Sequence, residues 1–208
     1  MWAFGKVSGE RQTLTLPLFP LKTVLFPGGM LPLKVFEQRY IEMTKACLKE
    51  EKPFGVCLLK QGEEVALPSA IGEFAGIGTM ARITACDVPQ LGILHLKTEG
   101  GARFQVQSHV VNHDGLVVGQ VTALAPEPAL PLPEAYQPLA ALLELLVERV
   151  GREHFAGATA TGDASWVGYR LAELLPLPLA IKQSMLEIND SEVRLKVLEK
   201  FLKDQEVL

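Results

Sequence analysis

The stretch LPLFPLKTVLFPGGMLPLKVFEQRY, Leu16 to Tyr40, decides how the rest of the chain is read. Leu14, Leu16 and Leu18 alternate with other residues. That spacing predicts a strand, because successive side chains of an extended segment point to opposite faces. Phe26-Pro27-Gly28-Gly29 breaks any regular element. Leu31, Leu33 and Val35 alternate again and predict a second strand. A helical pattern then runs from Glu37 to Lys49, with Tyr40, Met43, Ala46 and Cys47 on one stripe.

Working outward, period two persists to Leu124. Phe54 to Lys60 reads as a buried strand, and Gly76 to Val88 as a longer one with glycines at its start, where a bulge or bend fits. Leu91–Leu96, Arg103–Val111 and Leu116–Leu124 read as three further strands, the last two joined by a tight turn at His113-Asp114-Gly115. Ala125 to Pro133, APEPALPLP, is an extended proline-rich linker. Beyond it the period becomes 3.6. Leu139, Leu142, Leu143, Leu146, Val147 and Val150 form a helix face closed by Gly151. Asp163 caps a second helix carrying Trp166, Val167, Arg170, Leu171 and Leu174. A third runs from Leu179 to Ile188. Asn189 with Glu192 resembles a capping box for a fourth, ending near Leu202. The expected organisation is a β-rich part (1–124), a linker (125–133) and a helical part (134–208), with no internal repeat.

Composition bounds the function. The chain has 208 residues, is 48% hydrophobic and 21% charged, and carries a net charge of −4. That describes a globular chain with material for a core, and lacks the clustered Lys and Arg of a nucleic-acid binder. The most apolar run, Pro138 to Val147, is too short to span a membrane and contains Glu144. The opening residues MWAFGKVSGERQ lack the apolar core of a signal peptide. Cys47, Cys57 and Cys86 are odd in number and have no CxxC spacing, which fits reduced thiols of a cytoplasmic protein.

The opening stretch resembles the N-terminal substrate-binding domain of Lon proteases, the LON domain, whose pattern is close to LPLFPL…VLFPG…LPL.VFE.RY. Gly78-Thr79-Met80-Ala81-Arg82-Ile83 and Gly101-Ala102-Arg103-Phe104 are similar to two further strands of that family. Leu171–Pro176, Lys182-Gln183, Leu186-Glu187 and Arg194-Leu195 are similar to its C-terminal helices. The resemblance implies an α+β fold: a PUA-like β pseudo-barrel of about six strands followed by an α-helical bundle. It implies a module that binds unfolded or extended protein segments, with a separate ATP-dependent protease as a candidate partner. No phosphate-cradling GxxxxGK[ST] loop occurs in the sequence, so the family's ATP-driven proteolysis is not carried over.

No residue pattern points to catalysis or a cofactor. His109 and His113 have metal-pair spacing only on a helix, and they fall on a strand and a turn. His95 and His154 lie elsewhere. Ser69, Ser108, Ser165 and Ser184 have no GxSxG elbow. The cysteines lie on apolar faces, and Asp87 beside Cys86 works against a thiolate.

Glu37 and Arg39 sit inside the strongest motif. They read either as a peptide-binding pair or, preferably, as structural charges, Glu37 facing a helix N-terminus. Arg103 is a candidate ion-pair partner. Phe19, Phe26, Met30, Phe36 and Phe74 are candidates for an apolar peptide-binding surface, or alternatively plug the end of the barrel. Glu63 and Glu64 read as solvated loop. PUA-like barrels elsewhere bind RNA, and the absence of a basic stripe disfavours that alternative.

Overall fold

The fold was described from a computed structural model covering residues 13–62, 72–152, 155, 157 and 159–206. The opening residues, Glu63, Glu64, Ser69 and His154 lie outside the described residues. The strands are β1 (Thr13–Leu21), β2 (Met30–Val35), β3 (Phe54–Leu58), β4 (Ile77–Gln90), β5 (Ile93–Val111) and β6 (Val117–Ala123). The helices are α1 (Gln38–Glu50), α2 (Gln137–Val150), α3 (Ala164–Leu174), α4 (Leu179–Glu187) and α5 (Ser191–Asp204). Among the described residues, every strand precedes the proline-rich segment and every helix but α1 follows it.

The strand order is β2-β5-β4-β3-β1-β6, and β6 also pairs with β5. This closes β5, β4, β3, β1 and β6 into a ring, the pseudo-barrel, and leaves β2 outside it on β5. Two strands make the closure by changing neighbours along their length. β5 pairs with β2 over Leu94–Glu99 and with β6 over Phe104–Val111. β1 pairs with β6 over Thr13–Leu18 and runs parallel to β3 over Leu18–Leu21. That division explains two prolines in an inner strand. Pro17 lies in the part flanked only by β6 and Pro20 in the part flanked only by β3, so each has an unpaired side for its missing N–H.

One expectation is corrected here. Leu91 and Gly92 form a turn, and the rest of Leu91–Leu96 joins Arg103–Val111 in a single strand, β5. Gly100 does not turn the chain. Its amide donates to the Gly29 carbonyl (2.8 Å), and its carbonyl accepts from the Gly28 amide (2.7 Å). A Cβ there would stand 2.2 Å from the Phe26 carbonyl oxygen. The glycine is required because the Phe26–Gly29 turn lies directly against the strand. The turn at 113–115 forms as expected, with Gly115 at φ 84° and the Asp114 carboxylate accepting from the Leu116 amide.

Three apolar clusters hold the fold. One fills the ring beneath α1, where Phe19, Tyr40, Phe54, Val56 and Leu96 meet and the Phe19 and Tyr40 rings stack 3.8 Å apart. Its α1 stripe is Tyr40, Met43, Thr44 and Cys47; Ala46 is exposed, a second correction. A smaller cluster joins Leu16, Leu18, Phe104 and Val121. The largest spans both parts, packing Val24, Phe26, Leu58 and Ala75 against α2, α3 and α5 through Leu143, Val167, Leu171 and Leu195. Asp163 caps α3 through the Trp166 amide as its sequence predicts. The cap of α5 is Asp190, bonded to the Glu192 and Val193 amides, and not Asn189.

Candidate functional site

Glu127, in the middle of the proline-rich segment, is the buried electrostatic centre of the molecule. Its carboxylate accepts from the Ser165 hydroxyl (2.8 Å), the Tyr169 hydroxyl (2.6 Å) and both terminal nitrogens of Arg194. Arg103 of β5 stands 3.4 Å away. Arg103 also donates to the carbonyls of Leu186 and Ile188 and to the Asn189 side chain. Arg194 donates to the carbonyls of Met185 and Ile188, and its guanidinium lies 3.9 Å from the centre of the Tyr169 ring. Gly168 makes this possible: a Cβ there would press on the Arg194 stem at 3.1 Å. Arg103, a candidate partner for Glu37, has Glu127 as its acid instead. Asn189 is occupied with Arg103, which is why it does not cap α5.

A second clamp holds the glycine turn of the opening motif. Arg170 of α3, fully buried, donates to the carbonyls of Pro27 (2.8 Å) and Gly28 (3.0 Å) and pairs with Glu173 at 2.6 Å. Burial pushes the Glu173 carboxyl up, against the pull of Arg170 and Lys182. Both clamps join strands or turns to helices.

Glu37 is the residue before α1, extended at φ −77°, but its side chain makes no capping bond. It pairs instead with Arg39 at 2.7 Å, and Arg39 donates to the Gly115 carbonyl at 3.1 Å, tying α1 to the β5–β6 turn. Arg39 is buried and Glu37 partly so. Glu37→Ala should cost about 1–2 kcal/mol, the value of a charged hydrogen bond whose other partner keeps the Gly115 carbonyl. A thermal melt unchanged by the substitution would mean that the pair contributes nothing to stability.

The five apolar candidates do not form one patch. Phe19 (6% exposed) and Phe26 (0%) are core residues in different clusters, so their reading as exposed surface is corrected. They are buried because β1 and the turn are covered by α1 and α3. Phe74 packs partly against the Leu18 cluster and on the His109 ring at 4.9 Å. Met30 is partly buried, and Phe36 is half exposed just beyond β2. The surroundings of all three thiols favour the protonated form. Burial, with a smaller contribution from Glu50, pushes Cys47 up to about 11, and burial pushes Cys57 up to about 12. Cys86 is raised by burial and by Asp87. Among the described residues no group of three or more His, Cys, Asp or Glu could hold a metal, and no helix is long and apolar enough to cross a membrane.

The open surface lies where β2, β5 and the outer part of β4 form a three-stranded sheet beyond the ring. One face carries Leu31, Leu33, Val35, Leu94 and Leu96 onto the core. By period two the other face carries Pro32, Lys34, His95, Lys97 and Asp87, all exposed. These five, with Leu33 and Leu96, line a shallow cleft of about 420 Å³. Among the described residues the outer edge of β2 has no strand partner, with Pro32 in its middle. A proline there withholds a donor, blunting the edge against self-association.

The fold is thus an α+β pseudo-barrel with a helical bundle packed on it and an open flanking sheet. The chain belongs to the LON substrate-binding domain family: the family model of the ATP-dependent protease La (LON) substrate-binding domain matches residues 15–204. Lon protease 2 of Myxococcus xanthus is 30% identical over 98% of this chain and 25% of its own length. Lon protease 1 of Sorangium cellulosum is 34% identical over 88% of this chain and 24% of its own. The chain thus spans about a quarter of the length of the curated relatives it matches. A crystal structure of a Lon N-terminal domain protein from Xanthomonas campestris superimposes with a TM-score of 0.75 at 37% identity, covering 90% of this chain and 98% of that one. The N-terminal domain of a Mycobacterium avium complex Lon protease, at 18% identity and TM-score 0.56, covers 92% and 99% and shares the fold.

Proposed function

We propose that this chain is a non-catalytic module that binds unfolded or extended segments of other proteins. The observation that carries the reading is the match of residues 15–204 to a domain described as substrate-binding. The matched relatives are named as proteases, which supports an ATP-dependent protease as the partner to which bound segments would be delivered. Buried, unreactive thiols fit a reducing, cytoplasmic setting. The surface for a segment is the open sheet: Phe36 and Met30 supply apolar contact and the outer edge of β2 supplies backbone carbonyls, a mode tolerant of sequence.

A segment that orders on binding gives back much of its contact energy, so the dissociation constant should be about micromolar. The test is a titration of a labelled, permanently unfolded polypeptide into the protein and into its Phe36→Ala variant. Phe26→Ala is unsuitable, since it empties the core. Saturable binding weakened by Phe36→Ala is expected. No binding to polypeptide, together with binding to single-stranded RNA, would overturn the reading.

A further inference from the structure

The cleft on the open sheet carries unneutralised positive charge. The strand register places Lys34 opposite His95, and His95 opposite Asp87, in one row across β2, β5 and β4. The next row holds Pro32, Lys97 and Ala85. Lys34 and Lys97 are therefore diagonal neighbours on one face, with backbones roughly 7–8 Å apart. Among the described residues neither lysine has an ion-pair partner. The nearby Arg82 is already neutralised by Glu99. Among the residues that line the cleft, Asp87 is the one acid against two lysines. This excess of positive charge stands out on a chain of net charge −4.

We propose that this cleft selects acidic stretches of extended polypeptide, seating a side-chain carboxylate between Lys34 and Lys97 while a neighbouring apolar residue lies toward Phe36. The inference rests on the peptide-binding reading and deepens it. Lysine ammoniums on flexible stems accept carboxylates in varied geometry, which suits a site that takes many sequences. A nucleic acid fits less well. Asp87 lies in the cleft, and among the described residues Phe36 is the one aromatic of the exposed large hydrophobics. Strand-tracking sites instead combine a basic groove with successive stacking platforms.

The test uses three short labelled peptides identical in apolar residues, carrying glutamate, glutamine or lysine at the same positions. They are titrated into the protein and into a Lys34→Glu/Lys97→Glu double variant, at low and at moderate salt. Both lysines are exposed, so the variant should melt like the parent. The glutamate peptide should bind the parent about 3- to 10-fold more tightly than the glutamine peptide at low salt, as expected of exposed charge contacts. Salt should erase that margin, and the double variant should reverse it in favour of the lysine peptide. Equal binding of the glutamate and glutamine peptides would overturn the inference while leaving peptide binding intact. Absence of binding by all three would remove both. An RNA oligonucleotide that displaces the glutamate peptide from the parent and fails to bind the double variant would reassign the cleft to nucleic acid.

Discussion

Glu127→Ala should lower the unfolding midpoint by about 10 °C, corresponding to roughly 3–5 kcal/mol, because it strands two buried guanidiniums without their acid. Arg194 is fully buried and Arg103 nearly so. Both keep backbone carbonyl partners, but among the described residues Glu127 is the one carboxylate paired with either. The loss is a large part of the roughly 5–15 kcal/mol that holds a folded domain. The effect has a pH signature. Burial pushes the Glu127 carboxyl up. Hydrogen bonds from Arg194 and Tyr169, the charge of Arg194 and the Ser165 hydroxyl outweigh it and hold the carboxyl below its ordinary 4.5. A carboxyl depressed in the folded state contributes its stability above the unfolded value, and the contribution drains as pH falls through the folded value. The gap between parent and Glu127→Ala should therefore be full at neutral pH and close progressively below 4.5. Denaturant titrations of both proteins across that range measure it. A gap independent of pH would mean that the charge of Glu127 is not what stabilises.

The adjacent glycines of β5 should respond very unequally to the same substitution. At Gly100 a Cβ would meet the Phe26 carbonyl oxygen at 2.2 Å, and a backbone atom cannot swing aside. The two hydrogen bonds that seat the turn on the strand would have to open. Gly100→Ala should cost about 3 kcal/mol, the upper range for forced overpacking. At Gly101 the nearest atom to a new Cβ is the Met80 carbonyl oxygen at 3.6 Å, an ordinary contact. Gly101→Ala should stay within about 0.5 kcal/mol of the parent. Thermal melts of the two variants side by side decide it. Equal effects would mean that the Phe26–Gly29 turn does not sit where it is described.

What the sequence made legible was local. The strand–turn–strand–helix order of the opening motif, the Asp163 cap, the tight turn at Gly115 and the change of period near Ala125 all follow from residues within a few positions of one another. Misreadings came from distant partners. Leu91–Leu96 and Arg103–Val111 read as two strands until the Phe26 turn, more than 70 positions before Gly100, is seen to lie against the glycine that joins them. Asn189 is as good a cap as Asp190 until Arg103 claims it. Glu127 gives almost no signal in a proline-rich segment, because its partners are 38, 42 and 67 positions along the chain. Only the buried arginines Arg103 and Arg194, each needing an acid, could have pointed to it. The candidate surface was half legible. Period two could separate Lys34 from Val35, but it could not tell that Phe19 and Phe26 would be covered and Phe36 left open.

The central claim, that extended polypeptide binds on the open sheet, is tested most directly by amide hydrogen exchange with and without a saturating unfolded polypeptide. The account predicts slowed exchange in Met30–Phe36 of the β2 region and in Ile93–Thr98 of β5, with α2 to α5 unchanged. Protection confined to the helices, or none under conditions where the polypeptide is bound, would contradict it.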